Sequence, residues 1–255
     1  MLGIIASSGA RKLGERLGLA PHTVDTPWGA AQVRLGVLAG REVACLARHT
    51  EGKVAPPHRV NYRANVAALA AVGCTGVLAT NAVGSLCTEF GPLALCLPDQ
   101  ILDFTRGRPL TFSEDEIVAV DFTQPYCARL QRVVEAAAET SGLRIHSDLV
   151  YACTEGPRFE TAAEIRMLQT LGAHLVGMTA MPEAALAREK GLCYASLCVV
   201  TNLAAGVAGH HPSGVEVTET MERSWHSVGK ILSAVAAGYA DDPDCPCRGG
   251  AAGRV

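Results

Sequence analysis

Short apolar runs alternate along this chain with stretches of helical periodicity, and this alternation restricts the folds that the chain can adopt. The runs at 76–80 and 194–200 are almost entirely apolar, so neither can present one face to water. Between them, the stretch 126–141 repeats apolar residues three and four positions apart, which is typical of an amphipathic helix. Apolar strands separated by such helices are buried on both faces of a largely parallel sheet. The pattern therefore predicts an α/β fold.

The same pattern places the other elements along the chain. Strands are predicted at 3–6, 33–37, 42–47, 76–80, 93–97, 149–153, 174–177 and 194–200, and helices at 61–72, 126–141, 161–171, 183–190 and 216–238. Residues 103–125 are polar and weakly periodic, which predicts a long loop. Residues 1–240 contain no repeat or interdomain linker, so we expect a single domain with a mixed, largely parallel sheet flanked by helices. The composition of residues 241–255 predicts a flexible C-terminal tail.

Composition narrows the class of partner. The 255 residues are 49% apolar and 18% charged, with a net charge of −3, and they contain no basic run. A nucleic-acid polymer is therefore a poor partner. The apolar runs are interrupted well before the ~20 residues that a membrane span requires. The first residues lack the basic and apolar regions of a signal peptide, so we expect a cytoplasmic protein that does not bind membranes.

Cysteine and histidine spacing does not indicate a metal site. The ten cysteines include no paired CxxC motifs, and most lie inside apolar runs as small buried side chains. Cys245 and Cys247 form a Cys-Pro-Cys sequence in the polar tail, and we interpret them as inert or disordered, with a tight disulfide as the alternative. The histidines match no known ligand spacing. Walker and GxGxxG loops are also missing from the sequence, so we expect neither a metal nor an organic cofactor.

Four predicted strands end in small or polar residues. The ends are Ser7-Ser8-Gly9, Arg48-His49-Thr50, Asn81-Ala82 and Met178-Thr179. In open α/β sheets, ligands bind at the carboxyl ends of strands. Glycine and serine at such turns expose backbone N–H groups and hydroxyls, and a guanidinium such as that of Arg48 matches phosphate oxygens. The strand ends therefore indicate an anion site.

Several longer motifs carry a resemblance to a known family. They are GII at 3–5, RH at 48–49, PHRVNYRAN at 57–65, TNAVGSL at 80–86, DFT at 121–123, TEGPRF at 154–159, GMTAMPE at 177–183 and VTN at 200–202. With these motifs the chain resembles the purine nucleoside phosphorylases, in the branch that acts on methylthioadenosine or methylthioinosine. The resemblance implies the nucleoside phosphorylase fold and a trimer or a dimer of trimers. It also implies reversible cleavage of the N-glycosidic bond with inorganic phosphate as co-substrate.

The resemblance also implies roles for individual residues. The phosphate would be bound by Ser8, Arg48, His49, Asn81, Ala82 and Thr179. Met178 would contact the ribose hydroxyls, Phe159 would flank base and sugar, and Asn202 would face the purine edge. Arg48, Thr179 and Asn202 would be the catalytic residues. Phosphate held below the sugar would attack the ribosyl carbon, while a donor at purine N7 would stabilise the leaving group.

The base preference depends on Asn202. An amide offers two N–H donors and one acceptor, so Asn202 can donate to N7 or O6 of a 6-oxopurine. Adenine-preferring members of the family carry two acidic residues here, whereas this chain has Asn202 and Ala204. We therefore expect hypoxanthine or guanine as the base. The alternative is that Asn202 points away and the base is selected elsewhere.

The 5′ group is expected to be methylthio. Val217 and Met221 offer an apolar lining, and Ala119 stands where relatives often carry a histidine that reaches a neighbouring subunit. S-Methyl-5′-thioinosine is therefore the expected substrate. The alternatives are an inosine/guanosine phosphorylase and an S-methyl-5′-thioadenosine phosphorylase. Because Ser7-Ser8 and Thr50 depart from the family pattern, a non-catalytic nucleoside-binding protein is a further alternative.

Overall fold

Nine β-strands form the central sheet. The computed structural model describes residues 1–7, 18–49 and 55–249. The strands are β1 (Leu2–Ala6), β2 (Ala20–Thr26), β3 (Gly29–Leu38), β4 (Arg41–Ala47), β5 (Gly76–Ser85), β6 (Leu95–Phe104), β7 (Ile145–Thr154), β8 (Leu175–Gly177) and β9 (Cys193–Leu203). Their order in the sheet is β2-β3-β4-β1-β5-β8-β7-β6-β9.

One further pairing closes part of this sheet on itself. Strand β9 pairs with β5 as well as with β6, so β5, β8, β7, β6 and β9 form a ring. The pairs β1–β4, β1–β5, β5–β9, β6–β7 and β7–β8 are parallel, whereas β2–β3, β3–β4, β5–β8 and β6–β9 are antiparallel. The predicted α/β class with a mixed, largely parallel sheet is confirmed.

Helices cover the sheet on both faces. The described residues form α1 (Tyr62–Ala71), α2 (Ala128–Thr140), α3 (Ala162–Thr170), α4 (Ala180–Glu189) and α5 (Gly214–Gly238). Adjacent residues of β1 show the two layers: Ile5 lies in the apolar cluster that includes α1 and α4, and Ile4 lies in the cluster that includes α2 and α5. Strand side chains alternate between faces, so a strand packed on both sides must be apolar throughout. This packing explains the continuous apolar runs.

Several elements differ from the sequence-based assignment. Strand β5 was expected to end at Thr80 but continues to Ser85, so Asn81 and Ala82 lie within the strand and not beyond its end. Strand β2, at the edge of the sheet, was not predicted, and its residues are largely exposed, so it lacks the apolar signal of the central strands. Strand β6 was expected to stop at Pro98 but continues to Phe104. Its register with β7 shifts on both sides of Pro98. A proline has no N–H to donate, and an irregularity of the ladder accommodates it.

The C-terminal segment packs against the domain over its described part. Residues 246–249 form a short 3₁₀ helix, and Cys245 and Cys247 are buried. The sequence predicted a flexible tail from residue 241, whereas the described residues 241–249 place two buried thiols against the domain. Residues 250–255 lie outside the described residues, as do Ser8 and Thr50. Within the described chain, the longest and most apolar helices fall short of what a membrane crossing needs.

Candidate active site

A cavity of about 270 Å³ lies where β1, β4, β5 and β9 end, beside the segment that follows β8. It brings together most of the predicted site residues: Arg48, His49, Ala82, Phe159, Met178, Thr179, Asn202, Ala204 and Val217. Three predicted residues are not placed in its wall. Asn81 lies behind Thr179, Met221 packs in the apolar cluster with α2 and α5, and Ser8 is outside the described residues. The cavity itself has one polar end and one largely apolar end.

Arg48 supplies the positive charge at the polar end. Its Nε lies 2.5 Å from Oε1 of Glu183 and its Nη2 lies 3.0 Å from Oε2, while Nη1 donates to the carbonyl of Thr80 at 2.9 Å. Burial opposes the charged guanidinium, but the adjacent carboxylate outweighs burial and raises the pKa of Arg48. The guanidinium has five N–H donors, so these contacts leave donors for an anion in the cavity.

Glu183 is completely buried and receives a second donor. The hydroxyl of Tyr194 donates to Oε2 at 2.9 Å, and burial followed by the charge of Glu183 raises the pKa of this phenol, which keeps it protonated. The carboxylate therefore holds the guanidinium of Arg48 from the protein interior, on the side away from the cavity. The sequence motif at 177–183 included Glu183, but its partner lies 135 residues away and could not be identified from the motif.

Thr179 is held by a short chain of polar side chains. Its hydroxyl donates to Oδ1 of Asn81 at 2.8 Å, and Nδ2 of Asn81 donates to the hydroxyl of Ser196 at 2.5 Å. All three side chains are buried. Asn81 thus positions Thr179 at the wall instead of lining the cavity itself.

His49 and Ser7 complete the polar end. Nδ1 of His49 lies 2.7 Å from the carbonyl oxygen of Ala55, which suits the tautomer with the proton on Nδ1. Burial, followed by the charge of Arg48, lowers the pKa of His49. The neutral ring then has an acceptor at Nε2. The hydroxyl of Ser7 lines the cavity and has no hydrogen-bond partner among the described residues, so it is available to a ligand.

Asn202 lies at the other end of the cavity. The hydroxyl of Thr201 lies 2.8 Å from Oδ1 of Asn202, and Nδ2 donates to the carbonyl of Leu203 at 2.8 Å. These contacts occupy the acceptor and one N–H, so the second N–H remains for a ligand. A Cβ at Gly84 would lie only 3.3 Å from Nδ2, which shows how closely β5 approaches this amide.

An irregularity in the sheet directs Asn202 into the cavity. Val83 of β5 pairs with Val200, but the next residue, Gly84, pairs with Asn202. Thr201 is therefore an extra residue in β9, as in a β-bulge. Since side chains alternate along a strand, the extra residue moves Asn202 from the face of Val200 to the face of Ala82.

The apolar wall comes from loops as well as strands. Phe159 is 36% exposed at the cavity rim, and Met178 and Val217 line the interior. Gly156 of the TEGPRF motif has φ +62°, and a Cβ there would lie 2.5 Å from Sδ of Met178. Only glycine permits this backbone conformation and this contact. The motif therefore packs the loop of Phe159 directly onto Met178.

Arg108 holds this wall together and was missed in the sequence. It lies in the stretch interpreted as a long loop, yet its side chain is buried. Its Nη1 donates to the carbonyls of Met178 at 2.7 Å and Met181 at 3.0 Å, and its Nη2 donates to the carbonyl of Glu155 at 2.5 Å. A single arginine in a polar segment gives no signal of these contacts. Glu160, which also lines the cavity and accepts from Thr154 at 2.6 Å, was missed for the same reason.

Known proteins share this architecture and sequence. The family model of the phosphorylase superfamily matches residues 2–237. A 6-oxopurine nucleoside phosphorylase of Pyrococcus furiosus is 44% identical over 235 residues, covering 89% of each chain. A probable S-methyl-5′-thioinosine phosphorylase of Xanthomonas campestris is 45% identical over 243 residues, covering 93% of this chain and 97% of the relative. Methylthioadenosine phosphorylase from Schistosoma mansoni in complex with adenine superposes with a TM-score of 0.91 at 31% identity, covering 98% and 96% of the two chains.

Proposed function

The chain belongs to the phosphorylase superfamily, and on that basis we propose that it is a purine nucleoside phosphorylase acting on 6-oxopurine nucleosides. S-Methyl-5′-thioinosine is the favoured substrate, giving hypoxanthine and 5-methylthioribose 1-phosphate, as expected for purine salvage. The observation that carries the proposal is one cavity with Arg48 and Thr179 at its polar end and the amide of Asn202 at the other.

The polar end suits phosphate. The guanidinium of Arg48 and the hydroxyl of Ser7 can donate to phosphate oxygens, and the hydroxyl of Thr179 can do so when its proton turns from Oδ1 of Asn81 toward the phosphate. Nε2 of neutral His49 can accept a hydrogen bond from a protonated phosphate oxygen. Charge-assisted hydrogen bonds of this kind are the strong ones. Phosphate is a co-substrate here, and we propose no organic cofactor for the reaction.

The reaction is a displacement at the ribosyl C1′. A phosphate oxygen forms the new bond to C1′ as the bond to purine N9 breaks, and the purine leaves with the bonding electrons. Positive charge on the sugar is stabilised by the phosphate held at Arg48. We propose that the remaining N–H of Asn202 donates to N7, where negative charge accumulates in the transition state. Holding both reactants in this cavity can contribute roughly 7–11 kcal/mol through orientation.

Asn202 and Ala204 support the 6-oxopurine preference. Oδ1 of Asn202 accepts from Thr201 and Nδ2 keeps one N–H that the described contacts do not use, so the side chain can present a donor to the ligand. A donor suits N7 and O6 and leaves the exocyclic amine of adenine unpaired. The likeness to methylthioadenosine phosphorylase favours an adenine substrate as a second candidate. The names of the 6-oxopurine relatives support inosine and guanosine as further candidates.

The methylthio preference rests on fewer residues. Val217 lines the cavity, whereas Met221, expected beside it, is buried among other apolar side chains on the next turn of α5. Val217, Phe159 and Pro212 still give an apolar rim suited to a methylthio group.

We also propose that the chain works in the cytoplasm as a trimer or a dimer of trimers. Ile117 and Leu110 are 70% and 45% exposed in the segment between β6 and α2. Large apolar side chains in one exposed segment suit a subunit contact. Sedimentation velocity on the purified protein tests this, and a monomer at micromolar concentration would exclude the trimer.

A substrate panel tests the function. Purified protein is incubated with phosphate and S-methyl-5′-thioinosine, inosine, guanosine or S-methyl-5′-thioadenosine, and the released base is measured by chromatography. We expect phosphate-dependent release with the highest kcat/KM for S-methyl-5′-thioinosine. Faster release of adenine would overturn the base assignment. Nucleoside binding without base release would leave a binding protein.

A further inference from the structure

Four cysteines meet at the opposite end of the molecule from the cavity. They are Cys127 before α2, Cys193 at the start of β9, and Cys245 and Cys247 in the C-terminal segment. All four are buried, and their Sγ atoms lie within 4.8 Å of one another. The chain separation of these residues explains why CxxC spacing did not reveal the cluster: a single Cys-Pro-Cys contributes two thiols, and two distant elements contribute one each.

The sulfur spacing matches a tetrahedral metal site. Sγ of Cys245 lies 3.8 Å from that of Cys127 and 3.5 Å from that of Cys193. Four thiolates at the usual Zn–S distance of ~2.3 Å occupy the corners of a tetrahedron with edges of about 3.8 Å. A disulfide requires sulfur atoms ~2.0 Å apart, and two such bonds would divide the cluster into pairs.

Neighbouring groups suit the charge of such a site. The backbone N–H of Leu130 donates to Sγ of Cys127 at 3.5 Å, and Nη2 of Arg129 lies 3.9 Å from Sγ of Cys193. Four thiolates around a divalent ion carry a net charge of −2, which a nearby guanidinium offsets. Arg129 also donates to the carbonyl of Ala240 at 2.7 Å, so it ties the C-terminal segment to the cluster.

An ion can reach these sulfur atoms from solvent. A cavity of about 510 Å³ is bordered by Cys127, Cys245 and Cys247, together with Arg129 and Arg132. Hydrogen-bonded ligands and an entry path are two requirements of a metal site.

We propose that Cys127, Cys193, Cys245 and Cys247 bind one zinc ion as a structural tetrathiolate site. Binding replaces four S–H protons by four Zn–S bonds, and the protons are released to solvent. All four tetrahedral positions are filled by protein, which leaves no position for a substrate or water. Sulfur-only tetrahedral coordination favours zinc over magnesium, calcium or manganese. The ion fastens the C-terminal segment to α2 and β9.

The site lies far from the proposed chemistry. Cys193 begins β9 and Asn202 lies nine residues later, a separation of roughly 30 Å along a strand. Loss of zinc is therefore expected to lower stability without altering base preference.

Metal content is the first test. The chain is produced without a metal-chelating tag, purified without chelators, and analysed for zinc and iron. We expect one zinc per chain. After reduction and removal of metal, Co²⁺ is added as a spectroscopic probe, and we expect sulfur-to-cobalt charge transfer together with the intense d–d bands of tetrahedral cobalt. Bound iron, octahedral cobalt bands, two disulfides in the freshly isolated protein, or failure of the reduced protein to take up zinc would each overturn the proposal.

Two variants distinguish the loss of a zinc ligand from the loss of ordinary core packing. A double variant that carries both Cys245→Ser and Cys247→Ser is compared with the single variant Cys74→Ser. Cys74 is another buried cysteine, and it lies outside the cluster. The double variant should lose zinc and show a Tm at least about 5 °C lower, with unchanged kcat/KM at low temperature. The Cys74→Ser control should retain one zinc per chain. Equal zinc content in all three proteins would exclude these four ligands.

Discussion

Arg48 and Glu183 form a buried, two-point ion pair, with Nε 2.5 Å from Oε1 and Nη2 3.0 Å from Oε2. The pair joins the end of β4 to α4 across 135 positions of sequence. It places a permanently charged group at the polar end of the cavity while the carboxylate remains behind it. The positive charge at the polar end of the cavity is therefore fixed by a buried contact in the core.

Removal of the carboxylate should be costly to the fold. We expect Glu183→Ala to lower the free energy of unfolding by about 3–5 kcal/mol, because it leaves Arg48 charged and unpaired in the interior. Glu114→Ala is the matched control: its carboxylate pairs with Arg63 at 2.6 Å but is 72% exposed. That pair should contribute less than ~1 kcal/mol. Urea denaturation measures both, and equal losses would contradict the structural role of Glu183.

The hydroxyl of Thr179 should act on phosphate rather than on the nucleoside. Thr179→Val keeps the shape but removes the hydroxyl, and we expect the KM for phosphate to rise about 10–100-fold, as for the loss of one hydrogen bond to a charged group. Thr179→Ser retains the group and should stay close to the parent. Steady-state kinetics with each substrate varied in turn distinguish the two effects. A change confined to the KM for nucleoside would refute this assignment.

Asn202 should select the base. In Asn202→Asp an acceptor replaces the donor, so the ratio of kcat/KM for 6-oxopurine over 6-aminopurine nucleosides should fall by about 100-fold or more. Asn61→Asp is the control, since Asn61 caps α1 through its side-chain oxygen and Asp preserves that function. Competition assays with paired nucleosides give the ratio directly. An unchanged ratio would remove Asn202 from base selection.

Arg108 should position the nucleoside wall. We expect Arg108→Met to lower kcat/KM for nucleoside by about 10-fold or more, because the segments that carry Met178 and Phe159 lose a common anchor. The KM for phosphate should change much less. Arg63→Met is the control, since Arg63 donates to the carbonyl of Thr111 in the same segment between β6 and α2 at 2.7 Å. Within the described part of the chain, its other hydrogen-bond partner is Glu114 and not the segments of Met178 and Phe159. Equal falls in kcat/KM for both substrates with both KM values unchanged would argue for general unfolding.

His49 should make stability depend on pH. Its pKa is lowered in the folded state, chiefly by burial, whereas the unfolded value is ~6.5. As pH falls below 6.5 the unfolded chain takes up the proton first, so the stability present above that pH is lost. The free energy of unfolding of the parent minus that of His49→Gln should therefore be larger at pH 7.5 than at pH 5.5. Proton NMR of the ring measures the pKa itself, and a value above 6.5 would reverse the sign.

The sequence was most informative where a local pattern determines structure. Continuous apolar runs predicted the central strands, and Tyr126–Ser141 periodicity predicted α2, because burial on both faces and helical spacing both leave direct traces in the chain. The residues of β2 are largely exposed, so this strand has no apolar run by which it could be predicted. Pro98 stopped the prediction of β6 because the neighbouring strand, which tolerates the irregularity, cannot be seen in a local window.

The residues of the candidate site likewise divide into those that a local sequence pattern reveals and those that it does not. Arg48 and Thr179 were identified because polar residues are unusual at the ends of apolar strands, whereas Asn202 was identified through the resemblance to the purine nucleoside phosphorylases. Arg108 was not, since an arginine in a polar loop is ordinary until its carbonyl partners are known. The four cysteines illustrate the same limit: their proximity depends on the three-dimensional path of the chain and not on spacing.

The extra residue in β9 makes the orientation of the following side chains depend on the number of residues in the strand. Every side chain after Thr201 faces the way it does because one more residue has been counted on β9 than on β5. Deleting a single residue there would turn Asn202 away from the cavity and direct its neighbour into it. The proposed role of Asn202 therefore depends on the number of residues in β9 as well as on the amide itself. Asn202 grafted into a strand without that extra residue would carry the side chain but not its orientation toward the cavity.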